Sequence, residues 1–181
     1  MRDAPLARPD AAAERTAYEQ RLAQATAPNE RAIARLLLGS LAERCQDWPE
    51  AVTQYRHALD AAPSARDLAY FGHNNLGFSL IQMQRFDEAE PHCEAAIRLN
   101  PDRHNAFKNL GLVRQAQGRW PEAAGHFITA YEVCPSDTRA WHLLSALVSA
   151  HPEVLRPDTG IAARMVALDP PGARREGRAD G

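Results

Sequence analysis

The tetrapeptide Trp-Pro-Glu-Ala occupies residues 48–51 and returns at residues 120–123, and a relative, Phe-Asp-Glu-Ala, lies between them at residues 86–89. Two further anchors keep a fixed distance from the aromatic residue of each string. A Leu-Gly pair begins ten residues before it, at residues 38, 76 and 110, and a proline lies fifteen residues after it, at residues 63, 101 and 135. Since the same anchors recur in the same order, the chain contains three copies of one unit.

The copies are separated by two different distances. Pro101 and Pro135 of copies two and three are 34 residues apart, whereas Pro63 and Pro101 are 38 residues apart. We place the four additional residues at 64–67, where Ser and Asp have the spacing of a helix N-terminal cap. Four residues make about one helical turn, so the first helix of copy two is expected to begin one turn early.

Each copy is predicted to form two helices. The apolar spacing places them at residues 67–83 and 87–99 in copy two, and at 103–117 and 121–133 in copy three. Glycine and alanine fit the places where two helices approach closely. We therefore expect the glycines of the Leu-Gly pairs to face Ala51, Ala89 and Ala123, and the next copy to pack on Ala58, Ala96 and Ala130.

The composition favours helices and argues against a nucleic-acid ligand. Alanine, the best helix former, accounts for 34 of the 181 residues, and β-branched residues are sparse. The 21 basic and 23 acidic residues leave a net charge of −2, without the basic excess that nucleic-acid binders usually show.

The repeat pattern resembles that of the tetratricopeptide repeat family. Leu-Gly, an aromatic residue, alanine, a second aromatic residue, alanine and proline follow one another in the family's order, with Cys93 where Tyr55 and Phe127 supply the second aromatic. The resemblance implies an all-α fold, a right-handed α-solenoid of helix–turn–helix repeats. The predicted organisation is a disordered N-terminus (1–10), an N-terminal helix (11–31), three repeats (32–65, 70–103 and 104–137), a degenerate fourth or capping repeat (138–171) and a disordered tail (172–181).

The fourth copy begins well and then departs from the pattern. Trp141 and Leu144 match, but Ser145 replaces the glycine and Pro157 occupies the place of the second-helix alanine. A terminal unit that caps a repeat array against water is expected to diverge in this way. We expect a shorter helix at residues 158–168.

In this family the first helices line a concave groove that binds an extended peptide or a partner helix. The resemblance therefore implies a protein–protein interaction module, an adaptor or assembly factor whose partner is another protein. The candidate partner-binding residues at the family's groove positions are Phe71, Asn74, Asn75, Phe78, Ile81, Asn105, Lys108, Asn109, Leu112, Arg139 and His142.

Two features of this set predict its ligand. Asn75 and Asn109 both donate and accept hydrogen bonds, so they suit a peptide backbone of any sequence. Lys108, the only lysine, forms a cationic end of the groove with Arg139 and His142, which suits an acidic side chain or a C-terminal carboxylate. The family's clamp for chaperone tails is matched at only two of five positions, so chaperone-tail binding is not expected.

The sequence shows no catalytic or metal-binding pattern. It lacks a glycine-rich phosphate loop, His-Glu-x-x-His, Gly-x-Ser-x-Gly and paired cysteines, so we expect no enzymatic activity, metal or cofactor. His92 and His126 share a repeat position, but stacked helices about 10 Å apart do not bring them together. Widely spaced cysteines and the lack of a long apolar run favour the cytoplasm, with no membrane partner.

Two other functions remain open from the sequence. A secretion-type chaperone has a similar layout, with an N-terminal helix followed by three repeats, and such proteins often dimerise through that helix, so a homo-oligomer is possible. A regulatory subunit of an enzyme complex is the second alternative.

Overall fold

The structure is a computed structural model that describes residues 9–168 and 170–171. The described residues form α-helices and two short 3-10 turns, with no strand among them, so the predicted all-α class is confirmed. The chain divides into two compact units, Met1–Asn100 and Pro101–Gly181. Of the segments expected to be disordered, residues 1–8 and 172–181 lie outside the described residues.

The first unit contains copies one and two. Its helices are α1 (Pro9–Gln24), α2 (Pro28–Arg44), α3 (Trp48–Asp60), α4 (Arg66–Gln82) and α5 (Phe86–Leu99). Each helix packs on the next one along the chain, and α2 also contacts α4. Residues 9 and 10, which were expected to be disordered, begin α1. The alanines expected at helix contacts are buried in this unit: Ala51, Ala58, Ala89 and Ala96.

The second unit contains copy three and the divergent fourth copy. Its helices are α6 (His104–Ala116), α7 (Trp120–Val133), α8 (Arg139–Ala150) and α9 (Ile161–Val166), with 3-10 turns at Pro152–Leu155 and Pro157–Thr159. Its core contains Phe127, Ile128, Leu144, Leu147 and Ile161. The helix predicted at residues 158–168 is shorter than expected, because Gly160 adopts a left-handed conformation (φ 67°) and α9 begins only after it.

The additional turn of copy two is present. α4 has 17 residues and α6 has 13, and their last residues, Gln82 and Ala116, are 34 positions apart. The extra residues therefore lie at the start of α4, as predicted, but the N-cap is Ala65, without a side-chain hydrogen bond, and the cap expected from Ser64 and Asp67 is not formed. α2 also has 17 residues. The spacing between copies could not reveal this length, because the distance from one copy to the next does not depend on where the first helix of copy one begins.

α1 and α2 replace the single helix predicted at residues 11–31. Pro28 has no backbone N–H and fits the first turn of a new helix. The Glu30 carboxylate accepts hydrogen bonds from the backbone N–H groups of Thr26 (2.9 Å) and Ala27 (3.1 Å). These bonds cap the start of α2 and separate it from α1.

At all three Leu-Gly pairs the atom nearest to a Cβ atom added at the glycine belongs to the second aromatic position and not to the expected alanine, and only Gly77 also has its alanine close by, with Ala89 O at 3.6 Å. The added Cβ atom would lie within 3 Å of the side chain at the second aromatic position, and the three pairs are Gly39–Tyr55 (2.5 Å), Gly77–Cys93 (2.8 Å) and Gly111–Phe127 (2.5 Å). Glycine is needed here because the opposing side chain lies directly against the backbone of the first helix.

The turn between the two helices of each copy contains one residue in the left-handed region. These residues are Gln46 (φ 58°), Gln84 (φ 58°) and Gly118 (φ 73°), which occupy equivalent positions of the three copies. Glycine, which adopts this conformation without steric cost, is present only in copy three.

Candidate functional site

A stripe on α4 exposes aromatic and amide groups in the first unit. Phe71, Asn75 and Phe78 follow one another at helical spacings of four and three residues, so they share a face. The Phe71 side chain is 37% exposed, and Asn75 and Phe78 are half-buried. The Phe78 ring meets Trp48 edge to face, with 5.9 Å between ring centroids. We call these three residues the α4 stripe.

A polar network connects the α4 stripe to copy one. Asn75 accepts a hydrogen bond from the Asn74 amide (2.9 Å) and donates one to the Tyr55 hydroxyl (3.5 Å). The Ser79 hydroxyl donates to Glu43 (3.0 Å), which also bonds the Tyr55 hydroxyl. Burial raises the pKa of the Glu43 carboxyl above its usual value. Asn75 is therefore held in place by groups from α2, α3 and α4.

In the second unit, Asp137 brings several basic side chains together. Its carboxylate lies 2.8 Å from His104 Nε2 and 3.3 Å from Lys108 Nζ. Arg139 donates to both of its oxygens, at 2.7 and 2.8 Å. The hydrogen bonds from Arg139 hold the pKa of the Asp137 carboxyl well below its usual range. Lys108 also donates to Asn105, at 3.0 Å.

The cationic end predicted from Lys108, Arg139 and His142 therefore contains an internal carboxylate. Lys108 is only 9% exposed, and burial lowers the pKa of its ammonium group. Arg139 and His142 are exposed to solvent. Asp137 could not be found from the sequence, because it lies 29 residues from Lys108 and the contact depends on how the end of copy three folds back on α6.

Several other candidate residues lie inside their own units. Asn74, Ile81 and Asn109 are buried, and Leu112 packs against the core of the second unit. These side chains have little surface to offer a partner in the structure as it stands, and their predicted binding role stays a prediction.

Two features are absent from the described residues, a cluster of three metal ligands and a membrane-spanning helix. Across residues 9–168 and 170–171, no group of three or more His, Cys, Asp or Glu side chains converges as a metal site. None of the helices described is long and apolar enough to cross a bilayer. The three cysteines are free thiols, with Cys93 buried.

Two family models match the chain, and both describe the tetratricopeptide repeat. One matches residues 34–69 and the other matches residues 71–136. Together they account for more than half of the chain and span the three copies found from the sequence.

Two curated proteins are similar to part of the chain. Sperm-associated antigen 1 of Mus musculus is 31% identical over 99 residues, which are 55% of this chain and 10% of that protein. Protein O-mannosyl-transferase Tmtc2 of Drosophila melanogaster is 28% identical over 96 residues, 52% of this chain and 10% of that protein. The chain thus spans about a tenth of the length of either relative.

Solved structures have the same fold. The tetratricopeptide domain of Arabidopsis OM64 gives a TM-score of 0.61 at 22% identity, over 66% of this chain and 96% of that one. The second such domain of human RPAP3, solved with the HSP70 peptide SGPTIEEVD, gives 0.59 at 25% identity, over 66% and 97%. YrrB, described as having an unusual peptide-binding site, gives 0.62 at 21% identity, over 88% and 84%.

Proposed function

We propose that this chain, which belongs to the tetratricopeptide repeat family, is a protein–protein interaction module that holds a segment of another protein on the first helices of its repeats. The proposed role is that of an adaptor or assembly factor, without catalysis. The RPAP3 domain, which binds an HSP70 peptide, supports a peptide as the kind of ligand. Three free thiols fit a reducing location, the cytoplasm.

The observation that carries this proposal is the α4 stripe. Exposed aromatic side chains give binding surfaces most of their affinity, because they bury large areas at little cost in side-chain entropy. Asn75 lies between the two rings, and its amide is already oriented by Tyr55. A partner segment can therefore bury Phe71 and Phe78 while Asn75 hydrogen-bonds its backbone.

The proposed ligand for the second unit is an acidic side chain or a C-terminal carboxylate. Lys108 and Arg139 carry two positive charges against the single negative charge of Asp137. Arg139 and His142 are the exposed members of this set, so they, rather than the buried Lys108, are proposed to contact the ligand. The proposed cationic site therefore consists of Arg139 and His142, whereas the sequence placed Lys108 in it as well.

The proposal is tested by partner capture with the full chain. Phe71→Ala combined with Asn75→Ala is expected to lose most of the captured protein, as quantified by mass spectrometry, because both anchor and orienting group are removed. Thr53→Ala is the matched control, since its exposed hydroxyl only bonds Pro49 within α3. Equal capture by the double variant and the wild type would refute the proposed site, provided that both unfold at the same temperature.

The secretion-type chaperone is the second candidate, and the presence of α1 before the first copy favours it. α1 packs on α2 of its own chain, and Glu14 and Arg15 form ion pairs with Arg44 and Glu50. That candidate requires α1 also to bind a second copy. Light scattering on the chain with and without residues 1–28 decides it, since a dimer that becomes a monomer supports the chaperone.

A further inference from the structure

Two histidines from the two helices of copy two face each other. His73 lies on α4 and His92 on α5, and their Nδ1 atoms are 2.9 Å apart. The ring centroids are 5.2 Å apart, with 32° between the ring planes. Both side chains are half-buried, so the pair lies at the edge of the helix contact and remains open to small solutes.

The contact is a hydrogen bond between two imidazoles. At 2.9 Å only one of the two Nδ1 atoms carries a hydrogen, and the other presents its lone pair to it. Neutral imidazoles are the form in which histidine binds metals.

We propose that His73 and His92 form a two-histidine binding site for a divalent transition-metal ion of the Zn²⁺, Ni²⁺ or Cu²⁺ class. Imidazole nitrogens suit these ions. Two Zn–N bonds of about 2.0–2.1 Å at a tetrahedral angle place the nitrogens about 3.3 Å apart. The centroid separation of 5.2 Å shows that the two Nδ1 atoms now point at each other. To hold an ion, the 2.9 Å separation must widen by about 0.4 Å and each ring must turn by about 35°, so that both lone pairs converge on the ion. Water fills the remaining positions.

The surroundings of the pair support binding. α4 and α5 are held at close approach by the Gly77–Cys93 contact, one helical turn after His73 and directly beside His92. The backbones that carry the two ligands are therefore fixed relative to each other, and only the imidazole rings have to turn. The nearby cations are already paired with carboxylates, Arg56 with Glu88 (3.0 Å) and Arg98 with Glu94 (3.8 Å). Repulsion between these arginines and a metal ion is reduced accordingly.

The other copies use different residues at the same place. In copy one Arg35 donates to Gln54 at 2.9 Å, and in copy three the Phe107 ring lies 6.5 Å from His126. The repeat therefore does not need two histidines for its packing. His92 shares a repeat position with His126, but its contact is with His73 across the helix pair, and the repeat spacing does not reveal a contact of that kind.

The untagged full chain is titrated with Zn²⁺ or Ni²⁺ alone, and binding is measured by calorimetry. Thermal unfolding is then compared with and without the ion. The wild type is expected to bind one ion and to unfold at a higher temperature when loaded, since the ion binds the folded state. His73→Phe and His92→Gln introduce the residues that copies three and one already accommodate, and each should weaken binding at least tenfold.

The control variant is His126→Gln, which removes a histidine from the equivalent position of copy three and should leave binding unchanged. Mg²⁺, which prefers oxygen ligands, should have no effect on any variant. Binding that survives His73→Phe, or a wild type that takes up no ion, would overturn the proposal. Circular dichroism of the variants without metal establishes that their helices are intact.

Discussion

Substitution of Asp137 is expected to lower the free energy of unfolding of the second unit. Asp137→Asn leaves the Lys108 ammonium in place, largely buried and without a carboxylate. We expect a loss of about 1–3 kcal/mol in the free energy of unfolding at pH 7, from hydrogen bonds to charged groups left unmade. Urea unfolding measures this loss.

The same variant has a defined pH dependence. The pKa of Asp137 is lowered in the folded protein, so its stabilising effect is complete above its unfolded value of about 3.9 and disappears as pH falls below it. The difference between wild type and variant should therefore shrink in acid. Asp158→Asn, at an exposed position, is the control and should change stability by less than about 0.5 kcal/mol. A constant difference from pH 7 to pH 2 would contradict this account.

Glu43 is expected to behave in the opposite way. Burial raises the pKa of its carboxyl, so the folded state favours the neutral acid, whose stabilising effect is present below the unfolded value and is lost as pH rises through the folded one. Glu43→Gln keeps an acceptor for Ser79 and carries no charge. It should raise the unfolding temperature at pH 7 and make no difference near pH 3. Equal effects at both pH values would show that the carboxylate is not destabilised by burial.

Among the helices and turns, three glycines should respond differently to alanine. Gly118 lies in a left-handed turn, where alanine costs about 1–2 kcal/mol. At Gly111 a Cβ atom would meet Phe127 at 2.5 Å, so the α6–α7 pair must separate. Gly125 lies within α7 with 3.9 Å to its nearest neighbours, and alanine should stabilise the helix there by about 0.5–1 kcal/mol.

Chemical unfolding of the three single variants measures these differences. Gly125→Ala is the internal control, since the substitution is the same and only the surroundings differ. Stabilisation by Gly118→Ala, or a neutral Gly111→Ala, would be incompatible with the turn and the helix contact described.

At the scale of the whole molecule, the reactivity of the three thiols measures how well the helix packing excludes solvent. Cys93 is fully buried, whereas Cys45 and Cys134 are partly exposed. The Ser136 hydroxyl lowers the pKa of Cys134, which increases its thiolate fraction and its reactivity. A thiol reagent should label Cys134 first, then Cys45, and reach Cys93 only when α4 and α5 open. Rapid labelling of all three in the native protein would contradict the packing described.

The sequence predicts the helices of this chain better than its polar contacts. The spacing of the repeated anchor residues located α4 to α7, because the same helix contacts recur in every copy and therefore appear in the sequence as a period. Asp137 and His73 left no such signal, since each contact occurs once and joins residues that are 19 or more positions apart. The division between α1 and α2 was also missed, although Pro28 and Glu30 carry a readable start signal.

The bond from Asn75 to Tyr55 and the bond from Ser79 to Glu43 both join copy two to copy one. At the matching positions of copy two, Tyr55 and Glu43 are replaced by Cys93 and Ile81. The copies are consequently not interchangeable, because these polar contacts form only when copy two follows copy one. An array lengthened by duplicating copy two would lack both polar links at every new junction, whereas duplication of copies one and two together would keep them within each duplicated pair.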